Sequence, residues 1–556
     1  KDLVAQGLQE TKVERACRAH LKYAGSDFSL TVPLSDPDSM TIEFTRLHQA
    51  RYGFVMEGSP IIVETLEVEC TAKLHGDRLV DAKALSTAAG WNAASERPAA
   101  NATVSMYIND RWQNVPVFNR AQLKAGWSIV GPAMIIDSTA TTIVESSWKA
   151  RIDQNAMLFL EYTEPADDEQ ADTVSLSKPD PVKLELFNHL FMAVAEQMGL
   201  TLQNTSRSVN IKERLDFSCA VFDGKGSLVA NAPHIPVHLG SMGESVKQIM
   251  QNRKDTMRAG DAYVLNNPYK GGTHLPDITV ISPVFDGDRS QPIFYVASRG
   301  HHADVGGITP GSMPSESKDL FEEGVVIDDF QLVTEGRFKE DEMRALLLSA
   351  RFPARNVDQN LADLKAQVAA NRMGENELLR LSSYYGREQV TAYMRYVQKN
   401  AEAMVRAAIG NLQGGQFVCK LDEGHEIHVA VKVNGPEEKL AAEIDFSETS
   451  SQTRDNLNAP LSVCRAAVMY VFRTLIDDDI PLNDGCLVPL RLTVPDGSLL
   501  NPQYPAAVVA GNVETSQQIT DALYGALSVM AASQGTMNNF SFGNDRYQYY
   551  ETIAGG

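Results

Sequence analysis

Apolar positions recur along this chain with two different spacings, and the changes between them divide it into segments. Val13, Ala16, Cys17 and His20 stand at helical spacing and predict a helix over residues 1 to about 20. Short alternating runs at Phe28 to Val32, Thr41 to Phe44 and Ile61 to Cys70 each predict a strand. Ser86 to Pro98 is rich in Ala, Ser and Gly and reads as a loop. More strand-like runs follow at Thr103 to Ile108, Val115 to Phe118, Ala133 to Ile136, Thr141 to Val144 and Met157 to Tyr162. Short strands at such close spacing predict a mostly β domain over residues 1–162. The stretch 163–181 is polar, acidic and bracketed by prolines; it cannot bury much and reads as a linker.

From residue 182 to 556 both spacings are present. Phe187, Leu190, Phe191, Val194 and Met198 share one face of a predicted helix, a stripe that core packing explains in full. Asp216 to Asp223 and Ser227 to Asn231 flank the turn residues Gly224-Lys-Gly226 and predict a hairpin. Ile278 to Val284 and Ile293 to Ser298, joined by a Gly/Asp/Pro loop, predict another. Helical periodicity then covers Met343 to Ala350, Asn360 to Leu381 and Gln389 to Ile409, with Gly386 as a breaker between the last two. Strands resume at Ile427 to Val433 and Leu440 to Phe446. The Asn/Gly-rich loops Asn456 to Pro460 and Ala510 to Ser516 precede helical segments at Ser462 to Leu475 and Gln517 to Ala532. The expected fold class is therefore α+β: a mostly β N-terminal domain, a linker, and a large mixed α/β domain with antiparallel hairpins and a central helical segment.

The chemistry concentrates at the ends of the two hairpins. Pairing Ile278 to Val284 with Ile293 to Ser298 sets Asp277 opposite Gly300. One end of that hairpin then gathers His274, Asp277, His301 and His302, with Asp304 at its margin. Imidazoles and carboxylates at this density are what a divalent cation needs, and the flanking glycines let backbone approach closely. Taken singly, each histidine is more often a hydrogen-bonded strand-end residue than a ligand. The other hairpin brings Asp216 towards Pro233 and His234, with Asp216 and Ser218 on one face and Phe217 and Cys219 on the other. Asp216 is thus a further candidate ligand, Cys219 reads as a core thiol, and His234 and His238 read as structural residues near the site.

Composition narrows the function. A content of 43% hydrophobic and 22% charged residues suits a globular protein with a large core. A net charge of −21 argues against a nucleic-acid surface or an anionic-membrane binder. The six cysteines are scattered with no Cys-x-x-Cys pair, no apolar run approaches a membrane span, and no signal peptide is visible. Those features predict a cytoplasmic protein. There is no phosphate-binding loop, no Gly-x-Ser-x-Gly elbow and no His-Glu-x-x-His helix. A chain that starts at Lys1 and stops at Gly556 without a polar tail reads as a piece of a longer polypeptide.

The motifs Gly271-Gly-Thr-His-Leu-Pro-Asp277 and Ser298-Arg-Gly-His-His-Ala-Asp-Val-Gly-Gly307 resemble the B-type portion of the hydantoinase/oxoprolinase family. So do Asn210-Ile-Lys-Glu-Arg-Leu-Asp-Phe-Ser-Cys219, Asn231-Ala-Pro-His-Ile-Pro-Val-His-Leu-Gly240, Gln367-Val-Ala-Ala-Asn371 and Gly511-Asn-Val-Glu-Thr-Ser-Gln517. Residues 1 to about 162 resemble the C-terminal end of the A-type portion, through Tyr23-Ala-Gly-Ser-Asp-Phe28 and Gly131-Pro-Ala-Met-Ile-Ile-Asp137. An A-type end running into a B-type portion is the arrangement of the family's fused ATP-dependent 5-oxoprolinases.

The resemblance implies ATP-dependent hydrolysis of 5-oxo-L-proline to L-glutamate. An A-type ATPase portion, with ATP and magnesium, phosphorylates the lactam oxygen, and the B-type portion completes hydrolysis at a metal site. Most of the ATPase half lies outside this chain, so the chain alone is expected to be incomplete for coupled turnover. The implied ligands are Asp216, His274, Asp277 and one of His301 and His302. His301 is favoured because carboxylases of the wider family carry an aromatic residue at the second position. Zinc suits this ligand mix, with manganese or iron as alternatives. Asp304, His302 and Glu514 are the candidates for moving protons or orienting water. The implied partners are the ATPase portion, fused or separate, and a second copy in a homo-dimer or an A/B assembly. The rival readings are an N-methylhydantoinase or other lactamase of the same family, and a non-catalytic subunit whose metal is structural and closed.

Overall fold

The computed structural model describes residues 13–554 apart from 27, 53–54, 57, 73–97, 109–110, 154–156, 164–177, 233–234, 288–290, 423, 437–438, 478–481, 533–534 and 545–547. The chain divides into two compact units, residues 1–15 with 70–177 and residues 16–69 with 178–556. Residues 86–97 of the expected loop, residues 164–177 of the expected linker, and His234 lie outside the described residues.

Two N-terminal expectations change. Val13–Tyr23 is a strand, β1, and not a helix. Ala19, Leu21 and Tyr23 are buried alternately along it, and this period of two outweighs the helical spacing of Val13 to His20. β1 pairs with β2 (Leu30–Pro33). Thr41 to Phe44, expected as a strand, lies inside helix α1 (Pro37–Tyr52). Asp36 caps that helix by accepting from the Ser39 amide at 3.0 Å, Pro37 opens it, and Met40, Phe44, His48 and Tyr52 face inward at four-residue spacing. β3 (Ile61–Ala72) completes the sheet β2-β1-β3.

Residues 70–177 carry two small sheets. β4 (Ala102–Ile108), β5 (Arg111–Asn119), β7 (Ala133–Ile136) and β8 (Thr141–Val144) form one, in that order. The other, ordered β10-β9-β6, is built from β6 (Ser128–Val130), β9 (Trp148–Ile152) and β10 (Leu158–Tyr162).

The larger unit is organised around a seven-stranded sheet. Its elements in chain order are helix α2 (Pro181–Thr205), β11 (Phe217–Asp223), β12 (Leu228–Asn231), helix α3 (Pro236–Arg253), β13 (Ala262–Leu265), β14 (Asp277–Val284), β15 (Phe294–His301), β16 (Phe330–Thr334) and β17 (Arg337–Phe338). The strand order is β12-β11-β15-β14-β13-β16-β17, antiparallel throughout. Helices α4 (Glu340–Leu348), α5 (Val357–Tyr385) and α6 (Arg387–Gly410) follow, and Gly386, at φ 85°, separates the last two. One face of the sheet packs on α2 and α5 through Phe187, Phe191, Val194, Phe217, Cys219, Val296, Ala366 and Ala370. The other face packs on α3, with Ala220, Phe222, Ile281, Tyr295 and Ala297 against Met242, Val246 and Ile249. Both faces are covered, which is why every residue of β11, β14 and β15 is buried and the runs read as continuous rather than alternating. The burial that makes Cys219 a core residue pushes its thiol pKa far up.

A second layer is built on the sheet β18-β19-β20-β21, formed by Gly415–Lys420, Glu426–Asn434, Ala441–Asp445 and Leu490–Thr493. Helices α7 (Leu461–Thr474) and α8 (Ser516–Leu527) share its core. The stretch Gly511–Thr515, expected as a loop, is a π-helical turn that runs directly into α8. The hairpin β22 (Met537–Gly543) and β23 (Gln548–Ala554) closes the chain. Among the described residues no helix is long and apolar enough to cross a membrane.

One buried acid ties the segment after β15 to the segment before α8. Glu323 Oε1 accepts from Ser317 Oγ at 3.0 Å and from the amides of Val508 and Val509 at 2.9 Å each, and Oε2 has no hydrogen-bond partner among the described residues. Burial pushes its pKa up from 4.5 to about 8. The folded protein therefore keeps a proton that the unfolded chain releases. This stabilisation is full below the unfolded pKa and is lost as pH rises through the folded one. Thermal melts from about pH 6 to about pH 9 are expected to show a falling Tm in the wild type. Glu323→Gln, which imitates the neutral acid, should flatten that fall.

Candidate metal centre

The alternation of strand side chains assembles the site. β14 pairs with β15 so that Asp277 lies opposite His301 and Thr279 opposite Arg299; β11 pairs with β15 so that Ser218 lies opposite Arg299. Residues directly opposite share a face. Asp277, Thr279, Arg299, His301 and Ser218 therefore project towards α3, the side already carrying Ala220, Ile281 and Ala297. The expected pairing of Asp277 with Gly300 is displaced by one residue, because β15 starts at Phe294 rather than Ile293. That single step decides which histidine faces Asp277.

His274 reaches the same place from the turn before β14. Gly271, at φ 91°, backs against Glu244 and Ser245 of α3 so closely that a Cβ there would strike their backbone. Arg299, fully buried, holds the turn from beneath. Its Nη2 donates to Ser245 Oγ at 2.9 Å and to the Gly271 carbonyl at 3.2 Å, its Nε donates to Thr279 Oγ1 at 2.7 Å, and its Nη1 donates to Ser241 Oγ. Burial lowers the guanidinium pKa to about 10, against the attraction of Asp277.

At the centre, Asp277 Oδ1 lies 3.0 Å from His274 Nε2 and 3.0 Å from His301 Nδ1, and the two nitrogens are 3.3 Å apart. The other oxygen is fixed from outside: Thr273 Oγ1 donates to Oδ2 at 2.6 Å, and His238 Nε2 lies 3.2 Å from it. His238 Nδ1 is in turn 3.4 Å from Ser218 Oγ. Asp216 Oδ2 stands 3.9 Å from His301 Nδ1, and its side chain, 22% exposed against 1% for Asp277, is the more open of the two carboxylates. Burial works against the Asp277 charge, but His274 and His238 outweigh it and hold the carboxyl well below its usual range. Burial lowers the His274 pKa. Burial also opposes charge on His301, but Asp216 and Asp277 together raise its pKa.

These residues fit a divalent cation. Two imidazole nitrogens and a carboxylate oxygen lie within 4.8 Å of one another around one point, all buried, and a second carboxylate stands beside them. Such a mixed nitrogen and oxygen set is the donor chemistry of zinc, manganese or iron(II). The buried Nδ1 of His274 has no hydrogen-bond partner among the described residues. Thr273 and His238 orient the Asp277 carboxylate as supporting hydrogen bonds do in metal sites.

The cluster opens on a cavity of about 460 Å³. Its apolar walls include Ile235, Val237, Val463, Ala467 and Met537; Arg214, Asn512, Gln517 and Glu551 add polar groups beside His238 and the cluster. Sequence reading passed over Arg214 and Glu551 and underrated His238. The visible signals were an arginine two residues before Asp216 and a histidine in the first turn of a helix.

The residues expected to move protons are not brought to this cavity. His302, next to His301 on an extended chain, points to the other side of the sheet. There its Nε2 lies 3.1 Å from Gln367 Oε1 and its Nδ1 lies 3.2 Å from Asn360 Nδ2, both on α5. The Asp304 carboxylate is saturated by the amides of Gly306, Gly311 and Arg355 and by Arg355 Nη1 at 2.9 Å, so it shapes a loop. Glu514 accepts from Thr536 Oγ1 and the Met537 amide and anchors the start of β22. His302→Asn is accordingly expected to keep the metal content of the wild type while losing roughly 1–3 kcal/mol of stability from its severed buried hydrogen bonds. Elemental analysis and denaturant melts of one preparation read both.

The chain is similar to known proteins along its length. The family model for hydantoinase B/oxoprolinase matches residues 180–556, and that for the hydantoinase/oxoprolinase C-terminal domain matches residues 1–163. The chain is 40% identical over 585 residues to 5-oxoprolinase 1 of Arabidopsis thaliana and 38% identical over 588 residues to 5-oxoprolinase of Saccharomyces cerevisiae. Each alignment takes in 100% of this chain and 45% of the relative, so the chain spans less than half the length of these proteins. Among solved structures, the ATP-dependent caprolactamase from Pseudomonas jessenii superposes with a TM-score of 0.58 at 25% identity, covering 67% of this chain and 66% of that one.

Proposed function

This chain belongs to the hydantoinase B/oxoprolinase family, and on that premise we propose that it carries the hydrolytic half of an ATP-dependent ring opening of 5-oxo-L-proline to L-glutamate. The observation that carries the proposal is the buried His274–Asp277–His301 cluster, with Asp216 beside it, facing a cavity with room for a small ring. A structural metal would be closed off by protein ligands, whereas this cluster borders open space.

An unactivated lactam carbonyl is a poor electrophile, and phosphorylation of its oxygen by ATP makes the carbon open to attack. Addition of one water there and cleavage of the ring C–N bond free the amine and leave an acyl phosphate, and a second water releases its phosphate to give the amino acid. Asp216, His274, Asp277 and His301 would hold a divalent cation, with zinc the best match, which would supply Lewis acidity and lower the pKa of a nearby water. The protein's own groups prepare the site. Thr273 and His238 lock Asp277 Oδ2, which leaves Oδ1 directed at the two imidazoles, and the lowered pKa keeps His274 neutral with its lone pair available. Ile235, Val237 and Val463 limit water around the reacting ring. ATP and magnesium belong to an A-type ATPase portion, fused or separate, in a homo-dimer or an A/B assembly. The six free thiols suit the cytoplasm.

The test uses the full-length protein with both portions, following ADP release and glutamate formation together. Matched ADP and glutamate with 5-oxoproline supports the proposal. Coupled turnover with N-methylhydantoin and none with 5-oxoproline assigns the rival substrate instead.

A further inference from the structure

Arg214 is the only arginine or lysine among the described residues lining the cavity, and the other charged groups there are the carboxylates of Asp216, Asp277 and Glu551 and the histidines. Its Nη2 donates to Glu551 Oε2 at 3.1 Å, with side-chain exposures of 27% and 45%. The guanidinium and the His301 imidazole line the same cavity. The backbone is shaped for this placement. Leu215 adopts φ 56°, a left-handed conformation rare for a branched residue, and the residues on either side of it, Arg214 and Asp216, both reach the cavity.

We propose that Arg214 is the specificity-determining residue for the substrate's carboxylate, and that Glu551 occupies its guanidinium until the substrate displaces it. The inference rests on the function proposed above. In 5-oxoproline the ring carbonyl and the carboxylate-bearing carbon flank the same nitrogen. A site that opens this ring therefore needs a cation next to the group that receives the carbonyl, and Arg214 beside His301 and Asp216 meets that need. Carboxylate recognition by a guanidinium fork is geometrically selective, and the bond is charge-assisted. The Arg214–Glu551 contact also joins the segment before β11 to strand β23, so a purely structural role has to be separated by the test.

Full-length protein with both portions is assayed with 5-oxoproline for glutamate formed per ADP released. Wild type is expected near one. Arg214→Gln should lower the ratio about 10- to 100-fold, the range for losing one charged hydrogen bond. Arg214→Lys should fall between, and the double variant Arg214→Gln/Glu551→Gln, which restores an uncharged bond between the two segments, should stay as low as the single one. A wild-type ratio in Arg214→Gln, or recovery in the double variant, overturns the assignment. A wild type that forms no glutamate overturns instead the function on which it rests.

Discussion

Replacing His274 and Asp277 together by alanine is expected to remove the bound metal and to lower glutamate formation by more than about 100-fold, the upper end of what losing a mere supporting partner costs a metal site. The two residues supply Nε2 and Oδ1, two of the three atoms that converge at the centre, and they leave only His301 and the more exposed Asp216. Loss of Asp277 also frees Thr273 Oγ1 and His238 Nε2, so the orienting contacts go with the ligand. On the proposed division of labour ADP release depends on the ATPase portion and should outlast glutamate formation in the variant. Simultaneous measurement of both products separates a damaged hydrolytic site from a misfolded protein.

The second large effect lies beneath the site. Arg299→Met is expected to cost about 3–5 kcal/mol of stability, the usual penalty for breaking up a buried charged network by removing one member. The substitution strips hydrogen bonds from Thr279, Ser241, Ser245 and the Gly271 carbonyl and removes a buried positive charge that Asp277 attracts. Arg299→Lys should rescue only in part, because one ammonium cannot span those acceptors as the guanidinium fork does. The Gly271 turn sets the position of His274, so the metal affinity of either variant should also fall, by roughly 10- to 100-fold. Denaturant melts and metal titration of the same samples read the two effects.

Much of this architecture could be read from the residues. The hairpins around β11, β14 and β15 announce themselves through apolar runs broken by Gly, Asp and Pro, and the helices from residue 357 to 410 through their period and Gly386. Where the reading failed, tertiary context had decided. Val13 to His20 satisfies a helical template, but the chain buries Ala19, Leu21 and Tyr23 alternately. Thr41 to Phe44 satisfies a strand template, and its capping signal, Asp36 followed by Pro37, was the better guide.

The site shows the same division. His274, Asp277 and His301 were legible as a cluster because they sit at the ends of one hairpin. The pairing was placed one residue off, and in an antiparallel sheet one residue moves a side chain to the opposite face. That is why His302, adjacent in sequence, belongs to the α5 side with Gln367 and Asn360. Asp304 and Glu514 stand close to the relevant motifs in the chain, but Gly306, Gly311 and Arg355 claim the first carboxylate and Thr536 and Met537 the second, a use no spacing rule reveals. Arg214 and Glu551 are 337 positions apart, and only the folded chain brings them together.

The central claim is that this cluster is a metal site required for hydrolysis, and elemental analysis of the purified wild type beside the His274→Ala/Asp277→Ala variant tests it most directly. Near-stoichiometric divalent metal in the wild type, lost in the variant together with glutamate formation, is the result expected. A wild type that contains no metal and forms glutamate at full rate would contradict the account, and the cluster would then be an acid–base or structural assembly.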